Sequence, residues 1–176
     1  MENPATQADE VRPAVSLIPV DWPAHEPLLT RWLKDPDVRR WWGDPERRRN
    51  QIRATATADH AIIAAGDTPI GYIRWQGTDR ESLDALGLQA IPTGAIDIDL
   101  FIGEAAWRGR SLATPILHQL TARLSHETQA PAAGLCTSVN NHIAHRAFTK
   151  AGFTNTTQYD DPEFGHCYVF LKQLYH

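Results

Sequence analysis

Two carboxylates, Asp97 and Asp99, stand two residues apart in Ile96-Asp97-Ile98-Asp99-Leu100-Phe101-Ile102, a stretch that alternates between apolar and polar. In a regular strand the side-chain period of two puts both on one face, where they could hold a cation or accept a proton. A bulge near residue 100 would change that parity, and either aspartate could instead be a strand residue facing water. Shortly afterwards comes Arg108-Gly109-Arg110-Ser111-Leu112-Ala113-Thr114, a turn of small and basic residues that opens a helical pattern. Such a turn leaves backbone N–H groups unpaired at a helix N-terminus, where they can cradle a phosphate. Arg108 and Arg110 add positive charge there. An anion cradle next to a carboxylate strand suggests an enzyme that holds a phosphorylated cofactor and acts on a proton-bearing or cationic substrate.

Other polar residues also cluster. Asp79, Glu81 and Asp84 form one acidic group, and Asp160, Asp161 and Glu163 another. If they converge with Asp97 and Asp99 they make a pocket for a cation, with Asp79 as a further substrate-binding carboxylate. The net charge of −4 speaks against nucleic acid, so the run Arg39-Arg40 … Arg47-Arg48-Arg49 reads as a solvated helix face. His142 and His145 are spaced i,i+3 without a third ligand in view, and no metal site is expected. Cys136 and Cys167 fit a reducing compartment as free thiols on neighbouring strands.

The elements that must position these groups follow from periodicity and punctuation. Residues 14–20 read as an opening strand near a sheet edge, because of Pro19. An amphipathic helix spans residues 25–33 and a short helical turn residues 37–42. Asp44-Pro45 then starts a helix running to about residue 58. Gly66-Asp67 turns a hairpin between strands at 60–65 and 69–76. A polar insertion at 77–93 carries a short helix. After it come a strand at 95–103, a helix at 109–125, a strand at 133–139, a helix at 141–151, and strands at 153–159 and 166–172. This is an α/β (α+β) three-layer arrangement: a mixed, mostly antiparallel sheet of about seven strands flanked by helices.

With 176 residues, 42% apolar and 22% charged, the chain suits one soluble domain over residues 13–176. Residues 1–12 are polar and read as a disordered leader with no signal-peptide core. No apolar run approaches the ~20 residues of a membrane span. A cytoplasmic monomer or homodimer is expected.

The element order together with the Arg108–Ala113 turn resembles the GNAT superfamily of acetyl-CoA-dependent N-acetyltransferases. The family pattern at that turn is Arg/Gln-x-x-Gly-x-Gly/Ala; Arg108 and Ala113 match it, and Ser111 replaces the usual glycine. A second motif, Asn141-x-x-Ala144-x-x-x-Phe148-x-x-x-Gly152-Phe153, is similar to the family's penultimate helix. There Asn141 would cap the helix and touch the cofactor arm, and Phe148 stands where a tyrosine often acts as general acid. A narrower resemblance is to aminoglycoside 6'-N-acetyltransferases. It is carried by Trp32-Leu33 … Val38-Arg39-Arg40-Trp41-Trp42-Gly43, by Pro69-Ile70-Gly71-Tyr72, by Ile98-Asp99 and by Tyr168. Cys136 stands where some members carry a further acidic residue.

The resemblance implies acetyl transfer to the 6'-amine of an aminoglycoside antibiotic, conferring resistance. It makes Asp99 the base, acting directly or through water, and Tyr168 the acid for the departing thiolate. Backbone N–H groups of Phe101 and Ile102 would hold the pantetheine arm, and Arg108, Gly109, Arg110, Ser111, Leu112, Ala113 and Thr114 the pyrophosphate. Trp41 and Trp42 would wall the acceptor, with Asp97 either a substrate-binding carboxylate or a solvent-facing one. Two other readings stay open: an acyltransferase for a siderophore hydroxylysine or another small amine, and a non-catalytic acyl-CoA sensor.

Overall fold

Asp-Pro pairs punctuate the N-terminal third of the chain. In the computed structural model, which describes residues 14–175, Pro36 and Pro45 begin helices α2 (Pro36–Trp42) and α3 (Pro45–Ala54), after α1 (Trp22–Lys34). Asp35 caps α2 by accepting the N–H groups of Asp37 and Val38 at 3.0 and 3.3 Å, and Asp44 caps α3 by accepting that of Arg47 at 2.8 Å. The leader expected at residues 1–12 lies outside the described residues.

Seven strands make the sheet: β1 (Val15–Pro19), β2 (His60–Ala65), β3 (Thr68–Gly77), β4 (Ile96–Ile102), β5 (Ala132–Ser138), β6 (Thr154–Asp161) and β7 (Gly165–Gln173). Their order is β1-β2-β3-β4-β5-β7-β6, antiparallel everywhere except between β4 and β5. Helices α4 (Arg80–Ala85), α5 (Ala113–Glu127) and α6 (His142–Lys150) complete the chain. Two boundaries differ from expectation by four residues. The third helix stops at Ala54, where Thr55 turns extended, and a 3-10 turn covers Thr57–Asp59. α5 starts at Ala113 and not at residue 109, because Gly109 and Ser111 have φ of +72° and +58°, which no right-handed helix accepts. Among the described residues no helix is long and apolar enough to cross a membrane.

Side-chain alternation gives the sheet two faces. On one, Ile63, Ile73, Ile98, Leu135 and Phe170 pack with Ile116, Leu117 and Leu120 of α5 and Phe148 of α6. On the other, Ile62, Tyr72 and Phe101 pack under Leu29, Trp32 and Leu33 of α1, Val38 of α2 and Ile52 of α3. Leu83, Leu88, Ile91, Ala95, Ala132 and Val169 form a separate apolar patch. Each of the buried leucines, isoleucines, valines and phenylalanines contributes about 1.5–3 kcal/mol by leaving water. Between these two patches the sheet is polar, and it is also incomplete. The β4–β5 ladder has two rungs, Ile96↔Ala133 and Asp97↔Gly134, whereas β5 continues to pair with β7 as far as Ser138↔Cys167. From Ile98 onward β4 and β5 separate, and a cleft opens in mid-sheet.

Candidate active site

The β3–β4 register runs unbroken from Gly77↔Ile96 to Gly71↔Ile102, so no bulge intervenes and Asp97, Asp99 and Phe101 share a face. Asp99 lies opposite Arg74, whose Nε donates to its Oδ2 at 2.8 Å and whose Nη2 forms an ion pair with the same oxygen at 2.6 Å. The Asp97 carboxylate makes no hydrogen bond or ion pair with any described residue. Burial, then the charge of Asp99, push its carboxyl up to about 7, with Arg74 acting the other way. Cys136 of β5 flanks the pair, its thiol pushed well up by burial first and then by Asp97 and Asp99. Neither cysteine is in a disulfide.

The wall above this floor comes from α2, α3 and the β6–β7 turn. Trp42 stands edge-on to Phe101 at 4.8 Å and to Tyr72 at 6.2 Å between ring centroids, so it is the tryptophan that anchors α2 to the sheet. Trp41 stacks instead under the guanidinium of its neighbour Arg40, at 4.7 Å. Glu163 in the β6–β7 turn pairs with Arg47 and, at 2.8 Å, with Arg48. Arg48 also donates to the Trp42 carbonyl at 2.5 Å and lies within electrostatic reach of Asp99 and Arg74.

The acidic clusters do not pool into one pocket, contrary to expectation. Asp79 caps α4, accepting the N–H and hydroxyl of Ser82 at 2.8 and 2.7 Å. Asp84 pairs with Arg80 at 2.8 Å, and Asp160 with His166 at 3.0 Å. Asp161 accepts the N–H groups of Glu163 and Phe164 at 2.8 and 2.9 Å. Each charge is used where it stands, since turns and helix starts compete for the same carboxylates. Sequence reasoning missed Arg74, although an arginine inside an apolar strand is itself a sign that a carboxylate must sit beside it.

Backbone polarity at the cleft can be worked out from the ladder. Gly103 donates to the Ile70 carbonyl and Thr78 to that of Ala95, at the two ends of the β3–β4 pair. Antiparallel pairs alternate, so Asp97, Asp99 and Phe101 exchange hydrogen bonds with β3. The N–H groups of Leu100 and Ile102 therefore point toward the cleft. Phe101, expected to offer its N–H there, has it committed to β3. Leu100, which the sequence reading passed over, takes that place.

The turn before α5 is also rearranged. Arg108 donates from Nε to the Ile102 carbonyl at 2.9 Å and from Nη2 to that of Gly103 at 2.7 Å. Its Nη1 reaches Asp35 and Asp37, each at 3.0 Å, so it clamps the end of β4 to the α1–α2 corner. Arg110 folds back onto the Ala106 carbonyl and the Trp107 ring, at 2.9 and 5.1 Å. The anion-binding character lies in the main chain instead. Between Gly109 and Thr114 no backbone N–H donates within the described residues, and Leu112 supplies no side-chain cap. Left-handed Ser111 followed by right-handed Leu112 turns successive N–H groups into one concavity, a nest. The Thr114 hydroxyl is buried with no partner at its edge. A pyrophosphate fits these residues: it would satisfy the row of donors and the orphaned hydroxyl together.

Asn141 caps α6 through Ala144 N–H at 3.3 Å and donates to the Thr137 hydroxyl of β5 at 3.1 Å, which pins α6 beside the cleft. Tyr168 is not brought to Asp99. It lies across from Thr137 and packs on His145 at 5.4 Å, on the α5–α6 face with Phe170, while Asp99 faces α1–α3. The parity of β7 separates the two residues named as acid and base.

The sheet is thus split between its parallel strands, and an N–H nest closes onto the helix that follows. The model of the acetyltransferase (GNAT) domain matches residues 21–161. The chain belongs to the GNAT acetyltransferases. Among solved structures, this GNAT chain is similar to aminoglycoside acetyltransferase AAC(6')-Ib in complex with coenzyme A and kanamycin. The TM-score is 0.73 at 20% identity, covering 91% of this chain and 95% of that one. It is similar also to aminoglycoside N(6')-acetyltransferase from Legionella pneumophila, with TM-score 0.72, 16% identity and coverages of 95% and 96%. A third is RimL, a ribosomal L7/L12 alpha-N-protein acetyltransferase in complex with coenzyme A, with TM-score 0.69, 11% identity and coverages of 91% and 94%. At these identities the likeness is one of fold. No curated protein sequence matches the chain.

Proposed function

We propose that this GNAT acetyltransferase moves the acetyl group of acetyl-CoA onto a primary amine, with the 6'-amine of an aminoglycoside as the acceptor. The observation that carries the reading is the pair of carboxylates, Asp97 and Asp99, on the acceptor face at the mouth of the β4–β5 cleft. An alkylammonium needs a negative charge to hold it and a base to take its proton before the nitrogen can attack. The known aminoglycoside enzymes of this shape lend support, as does the sequence likeness over Trp41-Trp42-Gly43, Pro69–Tyr72 and Ile98-Asp99.

Acetyl-CoA supplies an acetyl thioester. The N–H groups of Gly109–Thr114 and the Thr114 hydroxyl would hold its pyrophosphate, and those of Leu100 and Ile102 the pantetheine arm and the thioester carbonyl. Donors preorganised in this way are typically worth about 3–4 kcal/mol where water is excluded. Arg108 and Asn141 set the positions of β4 and α6. Trp41 and the Glu163 turn would border the acceptor. Tyr168 would have to act on the thiolate from the α5–α6 face, the face of Phe148 and opposite to that of Asp99.

One observation favours the second reading, a small amine with fewer charges than an aminoglycoside. Arg74 pairs with Asp99, and Arg47 and Arg48 pair with Glu163, so the net charge of the acceptor face is less negative than the sequence suggested, although the carboxylates themselves stay ionic. Thiol release from acetyl-CoA separates the two. Turnover with kanamycin and tobramycin but not with paromomycin, whose 6' position is a hydroxyl, is the expected result. Silence on every aminoglycoside, with acetyl-CoA still bound, transfers the assignment to another small amine. Acetyl-CoA binding with no turnover on any amine leaves a sensor.

A further inference from the structure

We propose that Asp97, and not Asp99, takes the proton from the acceptor amine, while Arg74 holds Asp99 as the fixed negative charge that orients the ammonium. The assignment rests on the acetyl-transfer reading above.

Arg74 fixes Asp99 in place through one oxygen, Oδ2, which accepts from Nε at 2.8 Å and lies 2.6 Å from Nη2, so a proton arriving at that oxygen must displace the arginine. Asp97 has no such partner to lose. It stands one side-chain repeat along the same face, on the last rung of the β4–β5 ladder, where the cleft begins. An ammonium placed between the two carboxylates therefore meets one that is locked and one that is free.

The groups around Asp97 agree with this division. Asp99 on β4 repels a second negative charge beside it, and Arg74 on β3 spends its hydrogen bonds on Asp99. Cys136 on β5 is a neutral thiol, and Tyr159 on β6 is a neutral phenol; burial pushes both upward. Gln76, opposite Asp97 in the β3–β4 register, is uncharged. Arg48 of α3 acts on Asp99 and Arg74. Nothing in this set forces Asp97 to stay ionised once a proton is offered, and a carboxyl poised near neutrality is matched to the task.

In the step itself an O–H bond forms on Asp97 as one N–H bond of the ammonium breaks, leaving a neutral amine and a neutral acid. The freed lone pair forms the C–N bond at the acetyl carbon, and the C–S bond breaks with its electron pair on sulfur. A second proton from the nitrogen ends on that sulfur. The products are the amide and the thiol, and Asp97 returns its proton to water.

The test combines pH–rate profiles on kanamycin for wild type, D97N and D99N with a carbon-13 NMR titration of the side-chain carboxyls in the substrate-free protein. Wild-type kcat/KM should rise through a limb near neutrality. D97N should abolish that limb and lower kcat by at least about 10²-fold with KM nearly unchanged. D99N should keep the limb, displaced to lower pH, and raise KM. In the NMR titration Asp97 should titrate near neutrality in wild type and move downward in D99N. An intact limb in D97N with kcat within about threefold of wild type overturns the assignment. So does an Asp97 resonance that titrates in the ordinary carboxylate range. If wild type is inert on every aminoglycoside, the aminoglycoside reading falls, while an Asp97 resonance in the ordinary carboxylate range still overturns the assignment and the same profiles on another primary amine test it.

Discussion

Because the Asp97 carboxyl is raised from 3.8 to about 7, the folded chain keeps a proton there that the unfolded chain has released. Stability falls wherever the native state binds more protons than the unfolded one, so this aspartate destabilises the fold as pH climbs from about 4 to 7. D97N removes the effect. Its Tm should exceed that of wild type at pH 8, with the difference closing as pH is lowered toward 4. Equal Tm values for the two proteins at every pH would mean that Asp97 is not held in this state. Ser111 carries backbone strain, with φ of +58° where L-residues are rarely found. S111G should raise unfolding free energy by up to about 1 kcal/mol, and S111V should lower it by about 1–2 kcal/mol, as read in urea melts. The serine was visible in the sequence as a departure from the family's glycine. What that departure costs became visible only with the backbone angle.

At the scale of elements, Arg108 illustrates how a motif can be recognised and its role still misread. Its charge suggested a phosphate ligand, yet its guanidinium joins the end of β4 to the α1–α2 corner through Ile102, Gly103, Asp35 and Asp37. R108A should therefore lower unfolding free energy by about 2–3 kcal/mol, and R108K should recover little of it, because a lysine cannot make the forked contacts. If R108A melts like wild type and only KM for acetyl-CoA rises, the arginine is a ligand after all. The α1–β4 contact is equally exacting. A Cβ on Gly103 would lie 2.2 Å from the Trp32 ring, a side chain that is fully buried and whose indole N–H is donated to Glu104 at 2.8 Å. G103A should cost more than about 2 kcal/mol in a denaturant titration, since neither backbone nor ring has room to yield.

The whole molecule carries a net charge of −4, but its acidic groups are dispersed into caps, turns and ion pairs. A polycation approaching it feels a diffuse field, so kcat/KM for kanamycin should fall with added salt by no more than a few-fold between 50 and 500 mM. A drop of 10²-fold would point to a concentrated anionic mouth that this structure does not form. The chain by itself determined the elements and their order. Period-two alternation at Ile96–Ile102, the Asp-Pro helix starts and the Gly66-Asp67 hairpin are local signals, written in neighbouring residues. A shared face for Asp97 and Asp99 follows from strand geometry only if no bulge intervenes, and the unbroken β3–β4 register is what removed that alternative. Only the tertiary structure decided which strand lies beside which, and so it decided everything that depends on pairing across the sheet. Arg74 meets Asp99 because β3 and β4 are in that register. Leu100 replaces Phe101 at the cleft because of hydrogen-bond alternation with β3, and Tyr168 is lost to the far face because of the parity of β7. These contacts join residues tens of positions apart, and no local preference encodes the register that creates them.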